Sequence, residues 1–85
     1  MKNFQYTITA ADGLHARPAG LLAKCAQGLD SEVIITCGGK SANAKKLFAI
    51  MALNVKEGDA IELAVSGKNE EQHVKTISDF CRENL

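Results

Sequence analysis

The sequence has no tryptophan, one tyrosine and three phenylalanines among its 85 residues. A sheet that binds RNA stacks bases on exposed aromatic rings beside a basic face. Here the strands offer only Phe4 and Tyr6, and ten Lys and Arg are cancelled by ten Asp and Glu. A formal net charge of zero excludes a general nucleic-acid binder, which needs a strong basic excess. The three cysteines, Cys25, Cys37 and Cys81, form no C-x-x-C pair. Zinc-site and ferredoxin-like metal-carrier readings therefore lack their ligands, and scattered thiols read as small buried residues of a reducing compartment. No cofactor and no metal is expected. No apolar run approaches the ~20 residues of a membrane helix. Met1 to Ala10 alternates polar and apolar residues, unlike a signal peptide. The expectation is a cytoplasmic protein with no membrane insertion. Repeats, linkers and low-complexity segments are also missing. With 46% hydrophobic residues, positions 1–85 are expected to form a single small domain around one core.

Proline is scarce too, and its one occurrence is informative. Pro18 stands in the run Gly13-Leu14-His15-Ala16-Arg17-Pro18-Ala19. Proline fits the first turn of a helix, where its missing N–H would be unpaired anyway. Gly13 supplies a flexible turn before it, and Ala19 to Ala26 are good helix formers that stop at Gly28. His15 is thereby placed at a helix N-terminus, where free amides and the positive dipole end favour an anion. A neutral imidazole there can act as a nucleophile. Arg17 can offer a charged fork to phosphate oxygens. A histidine alone at such a position would more often be a cap or a surface residue, and an arginine alone a solvated charge.

The rest of the chain alternates between two periods. Phe4, Tyr6 and Ile8 alternate with polar neighbours as a half-buried strand, and Val33 to Cys37 is a β-branched run. Gly38-Gly39 is a hairpin signal, with Lys40 to Asn43 as the returning strand. Pro18 to Gln27 and Lys46 to Leu53 read as helices, and Ile61, Leu63 and Val65 mark a fourth strand. Val74, Ile77, Phe80 and Cys81 follow the spacing of one buried helix face. The order βαββαβα is an α+β pattern. His73 lies among Glu70, Glu71, Gln72 and Lys75 and reads as a surface histidine without a role.

Three segments resemble HPr, the histidine-containing phosphocarrier family of the phosphoenolpyruvate-dependent sugar phosphotransferase system. Residues 13–19 match the family's phosphohistidine motif. Gly39-Lys40-Ser41-Ala42-Asn43-Ala44-Lys45-Lys46-Leu47-Phe48 matches its second signature except at Lys46, and Glu57-Gly58-Asp59 before a strand matches a third region. The resemblance implies an open-faced β-sandwich: a four-stranded antiparallel sheet with three helices on one face. It implies that His15 takes a phosphoryl group on Nδ1 from phosphorylated enzyme I and hands it to a sugar-specific enzyme IIA, with Arg17 on the phosphate. Such a protein is a carrier and not an enzyme. It implies that the carboxylate of Leu85 lies near the site, and that Leu14, Gly20, Leu47, Phe48 and Met51 form a docking patch on a monomer. Gly20 departs from the small apolar residue usual there. Core packing is the plainer account of Leu14 and Leu47.

Lys46 occupies the position where relatives carry a serine, which in some is phosphorylated by a kinase for regulation. A lysine cannot take that phosphate. It is either drift on a solvated face or added attraction toward an acidic docking surface. Ser31 and Ser41 are the remaining serine candidates by composition. A regulatory relative that acts on transcription factors keeps the serine and loses the histidine, the reverse of this chain. A role in a nitrogen-type phosphotransferase chain is the other alternative.

Overall fold

The computed structural model describes residues 1–85. The elements run β1 (Lys2–Thr7), α1 (Ala16–Gln27), β2 (Glu32–Cys37), β3 (Lys40–Asn43), α2 (Leu47–Ala52), β4 (Ala60–Ser66) and α3 (Glu70–Asn84). The four strands form one antiparallel sheet in the order β1-β4-β2-β3. The long β1-to-β4 and β2-to-β4 pairings are non-local, and the helices bridge them across one face.

Register decides which side chains go inward. Val33 and Ile35 lie opposite Val65 and Leu63, and Phe4 and Tyr6 lie opposite Leu63 and Ile61. Directly opposed residues share a face, so these form one apolar row against the helices. Val33, Ile35, Ile61, Leu63 and Val65 are fully buried there. Asn3, Gln5, Thr36, Ser41 and Glu62 fall on the opposite, open face, as the period-two pattern predicts.

The helices complete the core. In α1, Pro18, Ala19, Leu22, Ala23 and Ala26 are buried, and small side chains let the helix sit close. In α3, Ile77, Ser78 and Cys81 are buried, with Val74 and Phe80 beside them. Burial pushes the Cys81 thiol up to about 12, helped by the neighbouring Cys25. The sequence placed the start of α1 at Pro18, whereas the helix begins at Ala16. The first three amides of a helix have no intrahelical partner, so proline is as well tolerated at the third position as at the first. In α2 only Ile50 is fully buried. Beyond its C-cap Leu53 the chain turns away at Asn54, whose φ of 55° is left-handed, a conformation that asparagine tolerates better than most residues.

Two expectations fail on burial. His73 is not a surface histidine: its side chain is 13% exposed, and Nδ1 shares a 2.6 Å hydrogen bond with the Ser31 hydroxyl. The bond joins α3 to the segment before β2, and its direction follows the imidazole tautomer. Ser31 itself is buried, so it is no accessible serine. Ser41 is exposed and bonded to Thr36 Oγ1 at 2.8 Å.

Candidate functional site

His15 is the N-cap residue of α1, with φ −81° and ψ −172°. Its carbonyl accepts the first helical bond, from the Ala19 amide at 2.9 Å, while its imidazole makes no capping bond. The ring is exposed. The amides of Ala16 and Arg17 lie in the first turn with no carbonyl inside the helix to bond, and Pro18 has no amide to offer. An anion held at His15 therefore meets two free donors and the positive end of a twelve-residue helix.

The loop that carries His15 is pinned from two directions. Ile8 donates to the Asp59 carbonyl at 2.9 Å, and Gly58 donates back to the Ile8 carbonyl at 2.9 Å. Leu14 donates to the Val55 carbonyl at 3.0 Å. Gly13, with φ 66°, packs so closely that a Cβ there would lie 2.4 Å from the Val55 oxygen and 2.7 Å from the Lys56 Cα. Only glycine fits. On the other side, the Leu85 backbone oxygen accepts from the amides of Thr9 and Ala10 at 2.7 and 2.9 Å and from Thr9 Oγ1 at 2.9 Å. The nucleophile candidate thus stands on a short loop held by two distant segments of the chain.

His15 faces two hollows. One, of about 500 Å³, is shared with Asp12, Met51, Asn54, Lys56 and Glu57. The other, of about 250 Å³, brings His15 together with Arg17, Leu21 and Glu83. Arg17 is exposed and enters no ion pair, so its guanidinium is available to an incoming anion. The structure therefore brings together His15, Arg17 and the end of α3 at Glu83 and Asn84.

The apolar residues divide. Phe48 is 82% exposed, Leu21 42% and Met51 38%. Phe48 and Met51 are three residues apart on α2 and share a face of that helix, which packs beside α1. Leu47 is half-buried against the core, and Gly20 on α1 is partly exposed. A Cβ on Gly20 would meet nothing within 4 Å. Leu14 does not belong to an exposed patch: it is 3% exposed and sits in the core cluster. Its amide bond to Val55 turns it inward, which corrects the docking assignment made from sequence. Leu21 was missed from sequence. It stands out only as a large apolar residue one position off the buried stripe of α1. Lys46 caps α2 without a side-chain bond and is exposed.

The molecule is a four-stranded antiparallel sheet under three helices, with an exposed histidine at the head of the first helix. Comparison gives the particular family. The family model described as "PTS HPr component phosphorylation site" matches residues 2–83. Phosphocarrier protein HPr of Buchnera aphidicola from Acyrthosiphon pisum is 42% identical over 79 residues, 93% of each chain. HPr-C-His of Thermoanaerobacter tengcongensis superposes with a TM-score of 0.93 at 33% identity, covering 99% of this chain and 94% of that one. An HPr dimer from the same organism superposes with a TM-score of 0.76 at 34% identity, covering 98% and 95%. The chain belongs to the HPr phosphocarrier family of the phosphotransferase system. No helix is long and apolar enough to cross a membrane.

Proposed function

We propose that residues 1–85 act as one carrier domain that accepts a phosphoryl group on His15 Nδ1 from phosphorylated enzyme I and passes it to a histidine of an enzyme IIA. The observation that carries this reading is the exposed, uncapped imidazole of His15 beside an unpaired Arg17 at the head of α1. In each transfer the bond from phosphorus to the donor nitrogen breaks as the bond to the acceptor nitrogen forms. The transition state is loose, so positioning and charge stabilisation supply most of the catalysis. The pinned loop serves the positioning. Arg17 and the free amides of Ala16 and Arg17 serve the charge. The phosphoryl is held by one arginine and exposed amides in the open, which suits a group that must leave again.

Leu21, Phe48 and Met51, with Leu47 and Gly20 at their edge, form the face that partners cover. Methionine adapts to more than one surface, and an exposed phenylalanine is a ready anchor. The chain is regenerated by its partners and turns over no substrate of its own. Incubation with enzyme I and phosphoenolpyruvate, followed by enzyme IIA, tests the reading. The expected result is an acid-labile phosphoryl group that appears on this chain and then moves to enzyme IIA. An acid-stable phosphate, or none, would contradict it.

A further inference from the structure

His15 stands between two hollows, and each has one strong cation in its lining. Arg17 lines the hollow of about 250 Å³, and Lys56 lines the other, of about 500 Å³. Lys56 is the only lysine that lines either one.

The backbone of Lys56 is fixed against the loop that carries the imidazole. Its amide donates to Asp59 Oδ2 at 2.9 Å, and its carbonyl accepts from the Asp59 amide at 3.0 Å. The Val55 carbonyl just before it accepts from the amide of Leu14, the residue preceding His15. The Lys56 Cα lies 2.7 Å from the place a Cβ on Gly13 would occupy. Two residues of chain span at most about 7 Å, so His15 follows Gly13 within the combined reach of its own imidazole and a four-carbon lysine stem.

The side chain of Lys56, by contrast, is free. It is exposed and enters no ion pair, whereas Lys2 pairs with Glu71 and Lys45 Nζ donates to the Leu29 carbonyl. Asp12 and Glu57 line the same hollow, and neither is paired with it. A phosphoryl group on His15 therefore shares that hollow with two carboxylates and a single cation, Lys56.

From this placement we infer that Lys56 is a second cation of the phosphoryl site, and that its ammonium donates hydrogen bonds to oxygens of the group on His15 from the hollow that Arg17 does not line. The inference rests on the phosphocarrier reading and adds a residue to it. Lys56 keeps its protons throughout, and the bonds between phosphorus and nitrogen break and form as described above. A compact ammonium beside the group favours its dianion and the charge that spreads over its oxygens during transfer. Its effect is on the phosphoryl group and not on partner encounter.

The test uses the wild-type chain, Lys56→Gln, Lys56→Arg and Lys68→Gln. Lys68 is exposed, lines neither hollow at His15 and serves as the charge control. Each chain is phosphorylated with enzyme I and phosphoenolpyruvate, purified, and titrated by phosphorus NMR at low salt with no partner present. Losing one unit charge about 4 Å away in water should move the titration of the phosphoryl group upward by about half a pH unit in Lys56→Gln. Lys56→Arg and Lys68→Gln should titrate as wild type. In transfer from phosphorylated enzyme I, Lys56→Gln should lower kcat roughly fivefold with KM within about twofold, and Lys56→Arg should restore most of it. Melting curves check that the variants are folded, and Lys56→Ala takes the place of Lys56→Gln if that variant is not. A wild-type titration or a wild-type kcat in Lys56→Gln would overturn the inference alone, including the case in which only KM rises. A wild-type chain that accepts no phosphoryl group would overturn it together with the reading beneath it.

Discussion

Two glycines near the site should respond to the same substitution with opposite signs. At Gly13, an added Cβ would sit 2.4 Å from the Val55 oxygen and 2.7 Å from the Lys56 Cα, with a φ of 66° that alanine adopts poorly. The left-handed backbone costs alanine about 1–2 kcal/mol. Forcing atoms apart in a packed region typically costs a further 1–3 kcal/mol. Gly13→Ala should therefore lose about 2–5 kcal/mol, a large part of the ~5–15 kcal/mol that holds a small domain together. At about 4–8 °C per kcal/mol, the melting temperature should fall by at least about 8 °C. The loop should also shift away from Val55 and carry His15 with it, so phosphoryl acceptance should slow more than the folded fraction explains. At Gly20, in the second turn of α1, nothing lies within 4 Å of the added carbon. Gly20→Ala should gain about 0.5–1 kcal/mol from the lower entropy of the unfolded chain and better helix propensity. Urea unfolding with a shared m-value measures both. A Gly13→Ala protein within about 0.5 kcal/mol of wild type would refute the close approach. A Gly20→Ala protein destabilised by more than about 1 kcal/mol would refute the open space.

Further expectations concern groups away from the loop. Ser31→Ala should cost about 1–2 kcal/mol, because it leaves His73 Nδ1 without its 2.6 Å partner in a largely buried place; an unchanged urea midpoint would show that the bond contributes nothing. Cys81 should resist thiol reagents at pH 8 in the folded protein and react on unfolding, because burial raises its thiol to about 12. The sign of the linkage follows: this contribution to stability is intact below the ordinary thiol value of 9.0 and is lost as pH rises toward 12. Cys81→Ala should lack that alkaline loss, and rapid labelling of native Cys81 at pH 8 would contradict the burial. Met51→Glu should leave the far-UV spectrum native while weakening enzyme I binding, since the side chain is partly exposed on α2; a grossly unfolded variant would show that Met51 belongs to the core.

Much of this was legible in the sequence because periodicity reports burial directly. Phe4, Tyr6, Ile61, Leu63 and Val65 alternate with polar residues and do line the inner face. Val74, Ile77, Phe80 and Cys81 follow helical spacing and do face the core. The run around His15 was legible for another reason: Pro18 marks a helix start by its own covalent geometry. What stayed hidden depends on segments far apart in the chain. Gly13 and Val55 meet across 42 positions, and so do Ser31 and His73. No local pattern announces either contact. Leu14 was misplaced for the same reason, since the bond that turns it inward comes from Val55. Leu21 and Leu22 are adjacent apolar residues, and only the packing of α1 shows that Leu22 is buried and Leu21 exposed.

The most direct test of the central claim is to locate the phosphoryl group. The chain is phosphorylated with enzyme I and phosphoenolpyruvate, kept at alkaline pH, and mapped by mass spectrometry alongside His15→Ala and Arg17→Ala. The account predicts one acid-labile phosphoryl group on His15. It predicts none on His15→Ala, which should melt close to wild type because the imidazole makes no capping bond. On Arg17→Ala it predicts the same site filled much more slowly, consistent with a loss of a few kcal/mol of transition-state stabilisation. A phosphoryl group on His73, or labelling of His15→Ala at the wild-type rate, would contradict it.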